Sequence, residues 1–118
     1  VVFGCTGDRD KDKRIKMSRI ACENAKHVIM THDDPHFENQ EEIYLDMTNG
    51  LKYDNYEIVR DRKDAITKGI DLLKENDTLL ILGKGHEEFI SIKGNKIPFN
   101  DMKAAKEYIS KKIKESVN

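Results

Sequence analysis

Three short stretches of this sequence gather side chains that could bind or move charge, each just after an apolar run. The first is Asp8-Arg9-Asp10-Lys11-Asp12. A calcium loop of the EF-hand type would need Gly at its sixth position and Glu at its twelfth, where this sequence has Lys13 and Arg19. A phosphoaspartate-forming nucleophile would stand directly at a strand end, yet Thr6 and Gly7 intervene and no second acidic cluster for magnesium is evident. What remains is a guanidinium fork, in which flanking acids fix the rotamer of Arg9 so that it can take a carboxylate or a phosphate. A plain solvated loop is the alternative.

The second stretch is His32-Asp33-Asp34-Pro35-His36. Imidazoles and carboxylates could hold a metal, but contiguous side chains point apart and chelate poorly. Binding an ammonium group through Asp33 or Asp34 is easier chemistry, with His36 free to donate to an anion; an ordinary turn would read the same way. The third is Gly83-Lys84-Gly85-His86-Glu87, where glycines let a ligand approach the backbone while Lys84, His86 and Glu87 surround it. Neither a Walker loop nor Gly-x-Gly-x-x-Gly occurs, so a ligand cleft without its own nucleotide loop is expected.

The elements behind these stretches follow from pattern. Val1-Val2-Phe3, His27-Val28-Ile29-Met30 and Thr78-Leu79-Leu80-Ile81-Leu82 lack polar alternation, as strands buried on both faces do. As parallel neighbours they would bring their carboxyl ends, and the three clusters, to one edge of the sheet, where open α/β sheets bind ligands. Asp10 or Asp12 is expected to cap a helix from about Lys13 to Asn24 with Met17, Ile20, Ala21 and Asn24 spaced as one helix face; Lys13, Arg14 and Lys16 in its first turn oppose the helix dipole and imply an anion nearby. Pro35 keeps the residue before it out of a helix and fixes residues 33–38 as a protrusion. Asn39 with Glu42 starts a second helix, with Ile43, Met47 and Leu51 inside, closed near Gly50. Residues 56–60 form a further strand, and Asp61 caps a helix to about Glu75 that buries Ala65, Ile66, Gly69, Ile70 and Leu73. Residues 89–92 and 97–99 flank the turn signal Lys93-Gly94-Asn95-Lys96 and predict an antiparallel edge hairpin. Asn100 caps the last helix, expected to bury Met102, Ala105, Ile109 and Ile113 and to fray after about Lys112.

Composition limits the classes open to the chain. Its 118 residues fit one domain, and 21 basic against 22 acidic side chains leave a formal charge of −1, so no general field favours nucleic acid or an anionic membrane. No apolar run approaches the roughly 20 residues of a membrane span, and no signal peptide is visible. The chain opens inside a strand without Met and is expected to be the end of something longer. Cys5 and Cys22 have neither Cys-x-x-Cys spacing nor a disulfide-rich setting, the pattern of reduced thiols in a cytosolic protein. No aromatic-basic interleaving suggests a base-stacking platform.

Taken together, Phe3-Gly4-Cys5-Thr6-Gly7-Asp8-Arg9-Asp10 with Lys13-Arg14, the Asp33-Asp34-Pro35-His36 loop, Leu82-Gly83-Lys84-Gly85-His86-Glu87 and Lys96-Ile97-Pro98-Phe99-Asn100-Asp101 resemble the C-terminal domain of the Mur ligases, most closely the members that add the third amino acid of the peptidoglycan stem. The likeness spans essentially the whole chain. It implies a Rossmann-like, mostly parallel α/β sheet with an antiparallel edge hairpin and helices on both faces. It also implies a cytoplasmic ligase that uses ATP and magnesium to convert the D-glutamate carboxylate of UDP-N-acetylmuramoyl-L-alanyl-D-glutamate into an acyl phosphate, which an amino group then attacks. The nucleotide loop and the UDP-sugar pocket would lie in two preceding domains that are this chain's partners. The resemblance places Arg9, Asp33, Asp34, Pro35, His36, Gly83 and Glu87 around the incoming amino acid and Asp8 toward the nucleotide, with Lys84 and His86 in support. It gives this domain no catalytic residue and no metal ligand. Arg9 would hold the substrate carboxylate and Glu87 its ammonium group.

One departure stands out. Members that add diaminopimelate carry Asp-Asn-Pro-Arg where this sequence has Asp33-Asp34-Pro35-His36. Loss of that arginine and gain of an acid point to L-lysine or another diamino acid, with Asp34 drawing in the distal ammonium. Rival readings are another ATP-dependent amide ligase of the folylpolyglutamate or cyanophycin synthetase kind, and a non-catalytic α/β binding module.

Overall fold

A computed structural model describes residues 1–117. Three parallel strands, β1 (Val2–Phe3), β2 (Val28–Met30) and β3 (Tyr56–Ile58), lie in the order β1-β2-β3, with Val2 opposite Ile29 and Ile29 opposite Glu57. Successive side chains on a strand point to opposite faces. Phe3, Val28 and Met30 accordingly meet Cys22, Ile43, Tyr44 and Met47 on one face, while Val2 and Ile29 meet Ala65, Ile66 and Ala104 on the other. Helices α1 (Asp12–Asn24) and α2 (Gln40–Thr48) cover the first face, α3 (Arg62–Asp71) and α4 (Asp101–Val117) the second. The expected α/β sheet with helices on both faces is thus the observed one.

The apolar run before the third cluster does lie against β1, in parallel: Val2 N–H donates to Leu80 O (2.8 Å) and Leu82 N–H to Val2 O (2.9 Å). Its pairing is one bridge, Val2 with Ile81, and not a strand from Thr78 to Leu82. Its partner β1 has only two residues to offer, and its outer side is bare, leaving Leu80 and Leu82 about half exposed. The hairpin β4 (Phe89–Ile92) and β5 (Asn95–Pro98) turns through Lys93 and Gly94, both at positive φ, and makes its own two-stranded sheet. A bridge between Ile92 and His36 ties it to the second cluster.

Three helix faces differ from expectation. On α1 the buried residues are Arg14, Ser18 and Cys22, with Met17 and Ile20 exposed. The helix is turned by the carboxylates that receive Arg14, and its formal cap is Lys11, with Asp10 accepting from Asp12 N–H (2.9 Å). On α4 the inner residues are Asp101 and Ala104, flanked by half-buried Ala105 and Tyr108, while Met102, Ile109 and Ile113 face outward. Close seating on α3 requires small residues at the contact, which the larger ones would prevent. This helix continues past Lys112 to Val117. Helix α3 stops at Asp71, short of Glu75, and Leu73 is partly exposed. Asn39 caps α2 through bonds from Glu41 and Glu42 N–H, and Asp61 caps α3 through Asp64 N–H.

Candidate functional site

Loops leave the carboxyl ends of β1, β2 and the Leu80–Leu82 bridge, and they meet. Between the first two the backbones touch: Gly7 N–H donates to Asp34 O (2.7 Å), and a Cβ on Gly7 would stand 1.8 Å from Pro35 O. A Cβ on Gly4 would stand 2.3 Å from Thr31 O. Glycine is the only residue that allows this approach. Asp8, at φ 57°, donates its N–H to Glu38 Oε1 (2.9 Å).

Glu38 also receives Arg14 through Oε2 at 2.5 Å and Oε1 at 2.9 Å, and Asp46 accepts from the same guanidinium at 2.9 Å. The bond from Arg14 holds the Glu38 carboxyl at about 2 against its burial. For Arg14 the anion expected beside the basic first turn of α1 is therefore internal, supplied by residues far along the chain.

The second and third loops are joined by Lys84, whose side chain is 1% exposed. Its ammonium donates to Asp34 Oδ1 (2.7 Å) and to Glu87 Oε2 (3.0 Å), and Asp34 Oδ1 also accepts Ser91 N–H (2.9 Å). Burial alone would lower the Lys84 pKa, but these bonds outweigh it and raise it. Burial likewise opposes ionisation of Asp34, and the Lys84 and Ser91 bonds overcome it, leaving its pKa below the usual value. Asp33, almost wholly buried, is pushed up by that burial; its Oδ1 accepts Asp34 N–H (2.7 Å), and its Oδ2 occupies the space a Cβ on Gly83 would need.

Asp33, Asp34, Pro35, Gly83, Lys84 and Glu87 thus come together, with Asp8 and Arg9 on the adjoining loop. Arg9 is exposed, and among the described residues nothing bonds its side chain. His36 sits at φ 53° and is held through its backbone, donating to Ser91 O (3.1 Å) and accepting from Lys93 N–H (2.6 Å). His86 projects outward while Asn100 Nδ2 binds its carbonyl (3.4 Å) and that of Glu87 (3.2 Å). Asp34 Oδ1 is taken by Lys84 and Ser91, which makes Asp34 an anchor of the rim. His32 turns away, its Nδ1 bonded to Tyr44 Oη (2.9 Å). Among the described residues no group of three or more His, Cys, Asp or Glu could hold a metal. A cavity of about 370 Å³ lies at the opposite ends of the strands, among Val1, His27, Leu73 and Leu80, and one of about 290 Å³ is lined by His32, Arg62 and Ile90 beneath the rim.

Arg62, unremarkable in the sequence, is buried where the loops begin. Nε and Nη2 bind Asp101 (2.7 and 2.8 Å), Nη1 binds His32 O (2.6 Å) and Nη2 also binds Leu82 O (3.1 Å). Its partner stood in view within Pro98-Phe99-Asn100-Asp101; nothing local marked Arg62, which reads as one more charge in a helix first turn.

A parallel α/β domain with a charged rim at its strand ends is the class so defined, and the chain belongs to the family of the Mur ligase, glutamate ligase domain, whose model matches residues 1–85. Among curated relatives it is 42% identical over 109 residues to the UDP-N-acetylmuramoyl-L-alanyl-D-glutamate--2,6-diaminopimelate ligase of Rickettsia typhi, covering 92% of this chain and 22% of that one. It is 44% identical to the ligase of that name from Halalkalibacterium halodurans, covering 95% of this chain and 23% of the other. It is 43% identical to ligase 1 of that name from Clostridium acetobutylicum, covering 97% and 23%. A solved structure of a UDP-N-acetylmuramoyl-L-alanyl-D-glutamate--2,6-diaminopimelate ligase superposes with a TM-score of 0.87 at 32% identity, over 94% of this chain and 24% of that one. The chain spans less than a quarter of the length of these relatives.

Proposed function

We propose that this chain is the amino-acid-presenting domain of an ATP-dependent ligase that joins a diamino acid to UDP-N-acetylmuramoyl-L-alanyl-D-glutamate in the cytoplasm. The observation that carries the reading is the chain of contacts between loops: Gly7 N–H bonds Asp34 O beside the loop that bears Arg9, whose guanidinium has no partner among the described residues, and buried Lys84 bonds both Asp34 and the acid Glu87. A free amino acid is a zwitterion and needs both charges. Arg9 holds the carboxylate; Glu87 keeps one carboxylate oxygen clear of Lys84 and holds the ammonium group; Gly83 and His36 border the site, and Asp8 faces the nucleotide.

ATP and magnesium supply the activated carboxylate in such ligases, and this chain does not fit them by itself. It has no triphosphate loop, and the described residues offer no metal cluster. Preceding domains would carry those sites and the UDP-sugar pocket. The residues here act by placement: Arg9 and Glu87 would hold the amino acid so that its amine, its proton given up to solvent, stands over the face of the activated carbonyl that the preceding domains would present, where the C–N bond would form as phosphate leaves with the C–O electron pair. Fixing the amine in this way removes much of the entropic barrier.

The relatives' names support a diamino acid over the folylpolyglutamate and cyanophycin alternatives. Of the two arguments for L-lysine, the acid at 34 is weakened because Lys84 and Ser91 N–H already occupy its Oδ1, and His36 in place of arginine stands. The test is phosphate release by the full-length enzyme given ATP, the UDP-linked dipeptide and single amino acids. Turnover with meso-diaminopimelate or L-lysine, but not with L-alanine or L-glutamate, is expected. Turnover with a monoamino acid, or with none, would overturn the reading.

A further inference from the structure

We propose that Arg62, locked by Asp101, is the positioning residue that sets the distance between the two loops gripping the amino acid. The inference rests on the function proposed above. Residues His32 and Leu82 each immediately precede a site loop, Asp33–His36 in one case and Gly83–Glu87 in the other. One guanidinium donates to both of their carbonyls, at 2.6 and 3.1 Å, and its remaining donors run in parallel to the two oxygens of Asp101 (2.7 and 2.8 Å). The side chains are 1% and 6% exposed, so water cannot replace either partner.

The sheet does not do this job by itself. β2 and the Leu80–Leu82 segment are not neighbours: β1 lies between them, and the segment pairs with β1 through one bridge. Beyond the strand ends, Arg62 provides a direct tie across that gap, and Lys84–Asp34 continues it at the rim. A planar fork with fixed angles between donors sets a separation, whereas a point-charge ammonium would not. Asp101 begins α4, so the same pair joins that helix to the rim.

The experiment is steady-state kinetics of the full-length enzyme with Arg62→Lys and with Asp101→Asn, varying each of the three substrates in turn. Because the proposed function sets both loops against the amino acid and neither against the other two substrates, kcat/KM for it should fall about tenfold or more, while KM for ATP and for the UDP-linked dipeptide stays within about twofold. Circular dichroism and melting of each variant check that it is folded. A folded variant whose kcat/KM for the amino acid stays within about twofold of the parent's, or whose three KM values rise together, overturns the inference. If Arg62→Lys does not fold, Asp101→Asn, which keeps the guanidinium and one acceptor oxygen, decides in the same way. Should the unaltered enzyme fail to use a diamino acid, the functional reading fails instead; activity in it with unmoved variants sinks the positioning role alone.

Discussion

Replacing Lys84 by Met tests the rim directly, since the thioether fills the buried stem's space and removes only the ammonium. The bond to Asp34 joins a side chain 1% exposed to one 15% exposed, and a charge-assisted bond of that kind contributes about 1.5–3 kcal/mol. Glu87 is 54% exposed, so its share is about 0–1 kcal/mol. Asp34 keeps Ser91 N–H, and the desolvation of the ammonium is relieved, leaving a net loss of about 2–3 kcal/mol. For 118 residues that is a fall in Tm of roughly 8–12 °C. The pH dependence has a definite sign. Asp34 is depressed in the folded state, so its contribution is complete above the unfolded value of about 4 and is lost as pH falls through the folded value. Lys84 is raised, so its contribution is complete below about 10.4 and is lost only as pH rises beyond that, through the folded value. The gap between variant and parent should therefore be constant from about pH 5 to 10 and shrink toward pH 2. Urea unfolding of the 118-residue chain followed by circular dichroism across this range measures it. A gap under about 1 kcal/mol at neutral pH, or one equally large at about pH 2, would refute the reasoning.

Three further outcomes are expected. Gly7→Ala drives a methyl into Pro35 O and costs the Gly7–Asp34 bond, a destabilisation of about 2–4 kcal/mol by urea unfolding; a near-parental midpoint would contradict the close approach. Glu38→Gln should lower stability at neutral pH and flatten its loss between pH 4.5 and about 2, because the folded carboxylate stabilises above the unfolded value and stops doing so at about 2; an unchanged acid limb in a pH titration argues against the Arg14 pairing. His36→Arg in the full-length enzyme should shift preference toward meso-diaminopimelate over L-lysine by about tenfold in competition; no shift would show that residue 36 does not face the substrate's distal end.

The rim was legible because each of its loops follows an apolar run and carries glycine where backbones must meet. Such signals are local, as Gly4 and Gly7 against Thr31 and Pro35 illustrate. What escaped depends on partners distant in the chain. Arg14 is buried and Met17 exposed because Glu38 and Asp46, 24 and 32 positions on, draw the guanidinium inward, and periodicity of apolar residues contains no trace of that. Arg62 was missed for the same reason, its acceptors lying 20 to 39 positions away. The outward turn of Ile109 and Ile113 shows that an apolar stripe identifies a helix more surely than it identifies which side faces in.

The seam where Gly4 and Gly7 press on Thr31 and Pro35 has a bearing on selectivity by length. With main chain abutting main chain, no rotamer is available there to yield, and the join between the first two loops is rigid. If the proposed function holds, a molecule one methylene too long would be accommodated by the exposed arms, Arg9 and Glu87, or be refused. Changes of preferred substrate should accordingly arise through residues at the tips of the loops, while the glycines beneath them stay as they are.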